Sequence, residues 1–303
     1  MSRCYLIVLF VIISISTTKG QTTVDLFAAK DNTIYQNLTA NSNGAGPNIT
    51  SGNTSQFGPR RALIKFSVAP TLPVGATITS ATLSLFCNKA GSTSIYNFSI
   101  FPLTADWGEG SSSVLVDNDG NGTLAAVNDA TWLSRFHSAT SWNQTGGDFN
   151  STASATTSVG ATSTSYTWAS PQVIADVQNW LNNPSSNFGW ILIGDETTQA
   201  SVKRFGSREN TTVTQRPTLS ITYTIAPVSI IYTFSGNGNW DVAANWSNNA
   251  IPPASLPGND QIIIDPIVGG ECILNVPQTI LPDGKLTVQA NKKFTIAGNL
   301  TIQ

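Results

Sequence analysis

Residues 218–225 read TLSITYTI. Leu219, Ile221, Tyr223 and Ile225 fall on one side, and Ser220, Thr222 and Thr224 on the other. Successive side chains of a strand point to opposite faces, so this period of two describes a strand with one dry and one wet side, the usual antiparallel pattern. The same alternation recurs upstream. Ala62, Ile64, Phe66 and Val68 share a face, opposite Leu63, Lys65 and Ser67. Ala81, Leu83, Leu85 and Cys87 share another, which puts that cysteine inside. Clusters of Asn, Gly, Pro and Ser, such as residues 41–47, punctuate the runs as turns. An all-β fold is expected.

One helix interrupts the strands. Ser170 suits an N-cap and Pro171 a first turn, while Val173, Val177, Trp180 and Leu181 make an apolar stripe at helical spacing. Asn182, Asn183 and Pro184 end it. A short helix over the end of a sandwich leaves the fold class unchanged.

Texture changes near Ala226 and Pro227. Beyond them come FSGNGNWDVAANWS, a Pro-rich turn, and brief apolar stretches that include LTV (286–288), FTI (294–296) and LTI (300–302). Short strands separated by brief turns read as successive sides of a β-solenoid, with a small β-sandwich as the alternative. The run is expected to be too short for several complete coils. It stops on an apolar strand, an edge expected to belong to a truncated chain or to meet a protein partner.

At the other end, Arg3 precedes an apolar run over residues 4–15, followed by small and polar residues up to Gly20. This is the layout of a secretory signal peptide, with cleavage expected before Gln21. The apolar run is well short of the roughly 20 residues of a spanning helix. The expected organisation is a signal peptide over 1–20, a β-sandwich over 21–225 and a small β-rich region over 228–303. The mature chain is expected to be secreted or displayed at the cell surface, without membrane insertion.

Composition fits an exported β-protein. Of 303 residues 40% are hydrophobic, and only 11% are charged, about half the usual share. There are 15 Lys and Arg against 17 Asp and Glu; loss of Arg3 and Lys19 leaves 13 basic residues and a net charge of −4. That balance speaks against a nucleic-acid partner, which would call for a basic patch. Cys87 and Cys272 remain in the mature chain and read as two buried thiols, with a disulfide as the alternative. The ten Asn-x-Ser/Thr sequons, Asn37 among them, follow from a composition rich in those residues.

Several segments occur in a familiar order: RALIKFSV (61–68), PVGATITSATLSLF (73–86), DWGEG (106–110), ATW (130–132), GGDF (146–149), VQNWL (177–181), NFGWILIG (187–194) and RPTLSITY (216–223). Residues 24–223 thereby resemble the DNRLRE, or disaggregatase-related, domain of secreted bacterial and archaeal proteins. RFGSREN (204–210) is the nearest echo of the letters that name it. The resemblance implies a jelly-roll-like, non-catalytic module, often attached to polysaccharide-degrading or surface proteins. Some relatives are classed as carbohydrate-binding modules for acidic polysaccharides such as alginate. GNWDVAANW (238–246) resembles the Trp-rich openings of extracellular β-solenoid modules in Bacteroidetes-type proteins.

His137 is the only histidine, which leaves little for a serine-type triad or a His-based metal site. The acidic residues are too scattered to nominate a glycosidase pair. A catalytic role is not expected. Sugar binding needs flat apolar faces for pyranose rings and polar groups at the rim. Residues 107–149 hold Trp107, Trp132, Phe136, His137, Trp142 and Phe149 among small polar residues, with Arg135 suited to a uronate carboxylate. Taken singly, each aromatic reads better as core; Trp107, Trp142 and His137 are the candidates for facing a ligand. Lys203, Arg204, Arg208 and Arg216 form the one basic concentration, read either as an anion-binding patch or as a solvated strand pair. Asp117, Asp119 and Asn121 alternate before Gly122 as in a calcium loop, but Asn128 stands where an EF-hand has its last carboxylate, and a polar turn is the other reading.

The leading expectation is a secreted carbohydrate-binding protein for an acidic polysaccharide. A structural or adhesive surface protein is the alternative.

Overall fold

The computed structural model describes residues 20–114, 120–226 and 228–303. The leader expected over 1–20 lies, but for Gly20, outside the described residues, as do Asp117 and Asp119. The chain divides into two compact units between Ile225 and Ala226. Among the described residues no helix is long and apolar enough to cross a membrane.

The first unit is an all-β, sandwich-like arrangement made by one large antiparallel sheet that curls over on itself. Thr218–Ile225 lies within it, hydrogen-bonded to Gln21–Phe27 on one side and Ala76–Ala90 on the other. Leu219 and Ile221 are fully buried, Tyr223 packs at the margin of the core, and Ile225 projects past it at 50% exposure. Along Ala76–Ala90 the inward parity changes from even (Ala76, Ile78) to odd (Ala81, Leu83, Leu85, Cys87). A register shift opposite Thr222 and Tyr223 supplies the extra residue, as a β-bulge does.

The other half of the curl contains Lys30–Tyr35, Gly58–Lys65, Trp190–Ile193, Tyr96–Pro102 and Ala155–Val159. Asn48–Thr54 links the halves, pairing with Lys203–Gly206 over its first part and with Gly58–Lys65 at its end. The crossover falls at Gly52, whose φ is +102° and whose added Cβ would lie 2.9 Å from the Val202 Cα; only glycine suits that spot. Between the halves Phe66 meets Trp190, and Phe205 meets both Phe98 and Trp168, edge to face.

The helix Pro171–Asn182 plugs this core with Val173, Val177, Trp180 and Leu181. Ser170 Oγ caps it, accepting from the amides of Gln172 and Val173. Buried Asp176 ties it to the sheet by accepting from Trp190 Nε1 at 2.8 Å and from Ser154 Oγ at 2.5 Å.

The outer face of the second half is apolar as well. Ile34, Leu63 and Ile191 point away from the main core into a separate cluster with Leu103, Trp107, Ala130, Trp132 and Trp142. The described parts of the long connection, 103–114 and 120–149, therefore form a lid packed on the sheet. Arg61 holds it down, bidentate with Glu196 at 2.7 and 2.9 Å, donating to Gly146 O, and stacked over Trp132 and Phe149.

The second unit is a three-sided parallel solenoid. Ile231–Phe234, Gln261–Ile264 and Lys285–Val288 form one side; Gly238–Asn239, Glu271–Leu274 and Lys293–Ile296 the second; Ser255–Leu256, Gln278–Ile280 and Leu300–Ile302 the third. The region thus stacks three coils, more than its length suggested. Gln261 pairs with Lys285 and Cys272 with Phe294, so the step from the second coil to the third takes only about two dozen residues. Trp240 and Trp246 of the Trp-rich opening pack with Phe234 in its core, and Trp246 Nε1 donates to Trp240 O.

Cys87 and Cys272 are free and buried in different cores. Burial raises both thiols, Cys272 to about 12 with help from Glu271. Neither thiol of the native protein is expected to react with a disulfide reagent at pH 8, and both are expected to react in denaturant. Rapid modification of the native protein would contradict the two buried positions.

Candidate functional site

The aromatic candidates are in the wrong place for a ligand. Trp107 is fully buried; its Nε1 donates to Phe188 O at 2.9 Å, and the Lys30 ammonium covers its ring at 4.3 Å. Trp142 is buried too, with Nε1 donating to Thr131 O at 2.8 Å. Both expectations of a sugar-stacking face are corrected: the rings seal the outer face of a sheet, and their polar edges are used internally. Arg135 and His137 lie half-buried on the lid's small hairpin, where Arg135 donates to Asp106 O and stacks on Phe136.

The basic candidates separate as strand geometry demands. Lys203 and Arg204 are consecutive in one strand and face opposite ways. Lys203 is fully buried, its ammonium donating to the carbonyls of Ser92 (2.5 Å), Ser94 (3.1 Å) and Gly160 (2.8 Å). Burial lowers its pKa. It ties together two connections, 91–95 and the one at Gly160, and is corrected as a ligand residue. Arg208 is bidentate with Glu109 at 2.6 and 2.7 Å and also meets Glu209, while Arg216 donates to Asn210 O. Asn121, the described member of the expected calcium loop, offers its Oδ1 to Arg60 at 3.2 Å. A fully buried guanidinium on that oxygen, its pKa pulled to about 10 by burial, disfavours a cation there.

Arg204 alone of the predicted residues lines a groove, which runs along the outer side of Asn48–Thr54, Lys203–Gly206 and Ala76–Ala90. It stands between two adjoining hollows. One of about 480 Å3 is lined by Ala45, Pro47, Asn48, Asn88, Glu209, Asn210, Thr211 and Gln215. The other, of about 160 Å3, is lined by Thr50, Thr54, Lys89, Ala90, Gly91, Gly120 and Val202. Arg135 and His137 are not among these residues.

The backbone explains the arrangement. Arg204 pairs with Lys89 and Phe205 with Cys87, so a bulge at Asn88 brings two consecutive polar residues to bear on either side of Arg204. Arg204 Nε donates to Asn88 Oδ1 at 2.7 Å, and Asn88 Nδ2 donates to Asn48 Oδ1 at 2.7 Å. Thr50 Oγ1 is buried with no partner in the protein, an unused hydrogen bond in the smaller hollow. Burial raises the carboxyl of Glu209 on the far wall, against the opposing pull of Arg208. Two cations and a row of amides and hydroxyls thus line the groove, with no aromatic side chain among its described lining residues.

Asn88, Lys89, Asn48 and Gln215 were not singled out by sequence. Three separate segments supply them, and the bulge that aims two of them has no signature in the alternation around it. No family model and no curated protein matches the chain.

Trp107→Ala and Trp142→Ala are each expected to lower the unfolding free energy in urea by about 3–5 kcal/mol, the usual result of emptying a buried Trp site. Variants as stable as the parent would contradict the lid.

Proposed function

We propose that this is a secreted, non-catalytic carbohydrate-binding protein whose first unit, a module of the DNRLRE type, takes an acidic polysaccharide in the groove around Arg204. The observation that carries the reading is the pairing of Arg204 and Lys89 with amide and hydroxyl side chains along an open sheet face. A uronate carboxylate suits a guanidinium already oriented by Asn88, and the pyranose hydroxyls suit the surrounding amides. With no aromatic ring among the described lining residues, affinity rests on charge and hydrogen bonds, so it falls with salt.

A structural or adhesive role is the second reading.

Affinity electrophoresis separates the two. In gels containing a polyuronate the protein is expected to be retarded, and in gels containing a neutral glucan to run freely. Arg204→Ala is expected to weaken retardation about tenfold or more, the scale of one charge-assisted hydrogen bond. Free migration in every acidic gel, or unchanged retardation of Arg204→Ala, would overturn the proposal.

A further inference from the structure

We infer that Asp31, Glu109 and Glu209 form a binding site for a hard divalent cation of the calcium class. Their carboxylates come from the strand Lys30–Tyr35, the lid, and the turn after Lys203–Gly206. Each offers a ligand oxygen, and these oxygens all lie within 4.8 Å of one another. The site is independent of glycan binding, although Glu209 also lines the groove.

One carboxylate oxygen of the cluster lacks a donor. Asp31 is fully buried; its Oδ2 accepts from the Arg208 amide at 2.7 Å, and its Oδ1 has no hydrogen-bond partner. A buried carboxylate oxygen left bare is costly unless something positive reaches it. Glu209 Oε1 is held by Arg208 Nε at 2.8 Å, and its Oε2 accepts from Ser207 Oγ at 3.4 Å.

Charge points the same way. Three carboxylates against the guanidinium of Arg208 leave a formal −2 in a largely buried space, which one divalent cation balances.

The dimensions admit the ion. Oxygens on opposite sides of a calcium ion are separated by roughly 4.6–5.2 Å, and ligand oxygens that all lie within 4.8 Å of one another can share one. An all-oxygen donor set excludes a preference for soft metals. The side chains of Glu109 and Glu209 are 16% and 22% exposed, so water can complete the six to eight oxygens calcium takes. The frame is fixed: Asn32 Nδ2 donates to Glu109 O at 3.2 Å, and an added Cβ at Gly44 would fall 1.7 Å from that same oxygen.

The test uses the whole exported protein, stripped with EDTA and dialysed, titrated calorimetrically with calcium chloride and melted with and without it. One calcium per chain is expected, with a rise of a few degrees in Tm at saturation. Glu209→Gln, at a partly exposed position that tolerates an isostere, is expected to weaken binding at least tenfold and to remove the Tm rise. Asp31→Asn is expected to do the same. An Asp117→Asn and Asp119→Asn double variant is expected to bind as the parent does. Absence of heat and of any Tm shift up to about 10 mM calcium, above the millimolar range of weak extracellular modules, would overturn the proposal. So would undiminished binding by Glu209→Gln, or loss of binding confined to the double variant.

Discussion

A strand can bury consecutive residues only if both faces of its sheet are covered, and Trp190, Ile191 and Leu192 are all fully buried. Much of the first unit follows from that constraint. Trp190 and Leu192 face the main core, where the helix supplies Trp180 and the Asp176 carboxylate that Trp190 Nε1 needs. Ile191 faces the opposite way, beside Ile34 and Leu63, and that surface would be an apolar patch in water without a cover. The lid is that cover. Its three tryptophans supply apolar area, and Lys30 and Arg61 lie over the rings of Trp107 and Trp132.

The same constraint moves the candidate site to the other half of the curl. There the outward residues are half-exposed and mostly polar: Thr82, Ser84 and Asn88 with Phe86 among them on one strand, Ser220 and Thr222 on its neighbour. The sheet needs no cover on that side. A bulge at Asn88 and the turn after Lys203–Gly206 are enough to raise walls around Arg204. Polar contacts in such a groove orient a hydrated, charged chain, whereas stacking would require rings the fold has committed elsewhere.

Local pattern carried most of the secondary structure. TLSITYTI is a strand because its period of two is unbroken, and the helix is bounded by a cap and a proline that act within one turn. The solenoid triplets were legible as strands, while the number of coils was not, since it depends on how few residues a turn can use. The Trp-rich segment has the same composition whether it packs as a lid or opens as a binding loop. What decides is a long-range match to the outer face of a sheet whose own apolar residues, Ile34, Leu63 and Ile191, look like ordinary strand residues one by one. The opposite directions of Lys203 and Arg204 were legible in principle, because neighbours in a strand cannot share a face. The carboxylates of Asp31, Glu109 and Glu209 were not, being far apart in the chain and joined only by the fold.

The lid is sealed and the groove is open. Hydrogen–deuterium exchange of the protein, alone and saturated with a polyuronate, reads both at once. Ligand-induced protection is expected in peptides covering 48–54, 87–91 and 203–216, with residues 130–149 exchanging slowly and unchanged. Protection gained over 130–149, with none around Arg204, would contradict it and return the binding face to the Trp-rich segment.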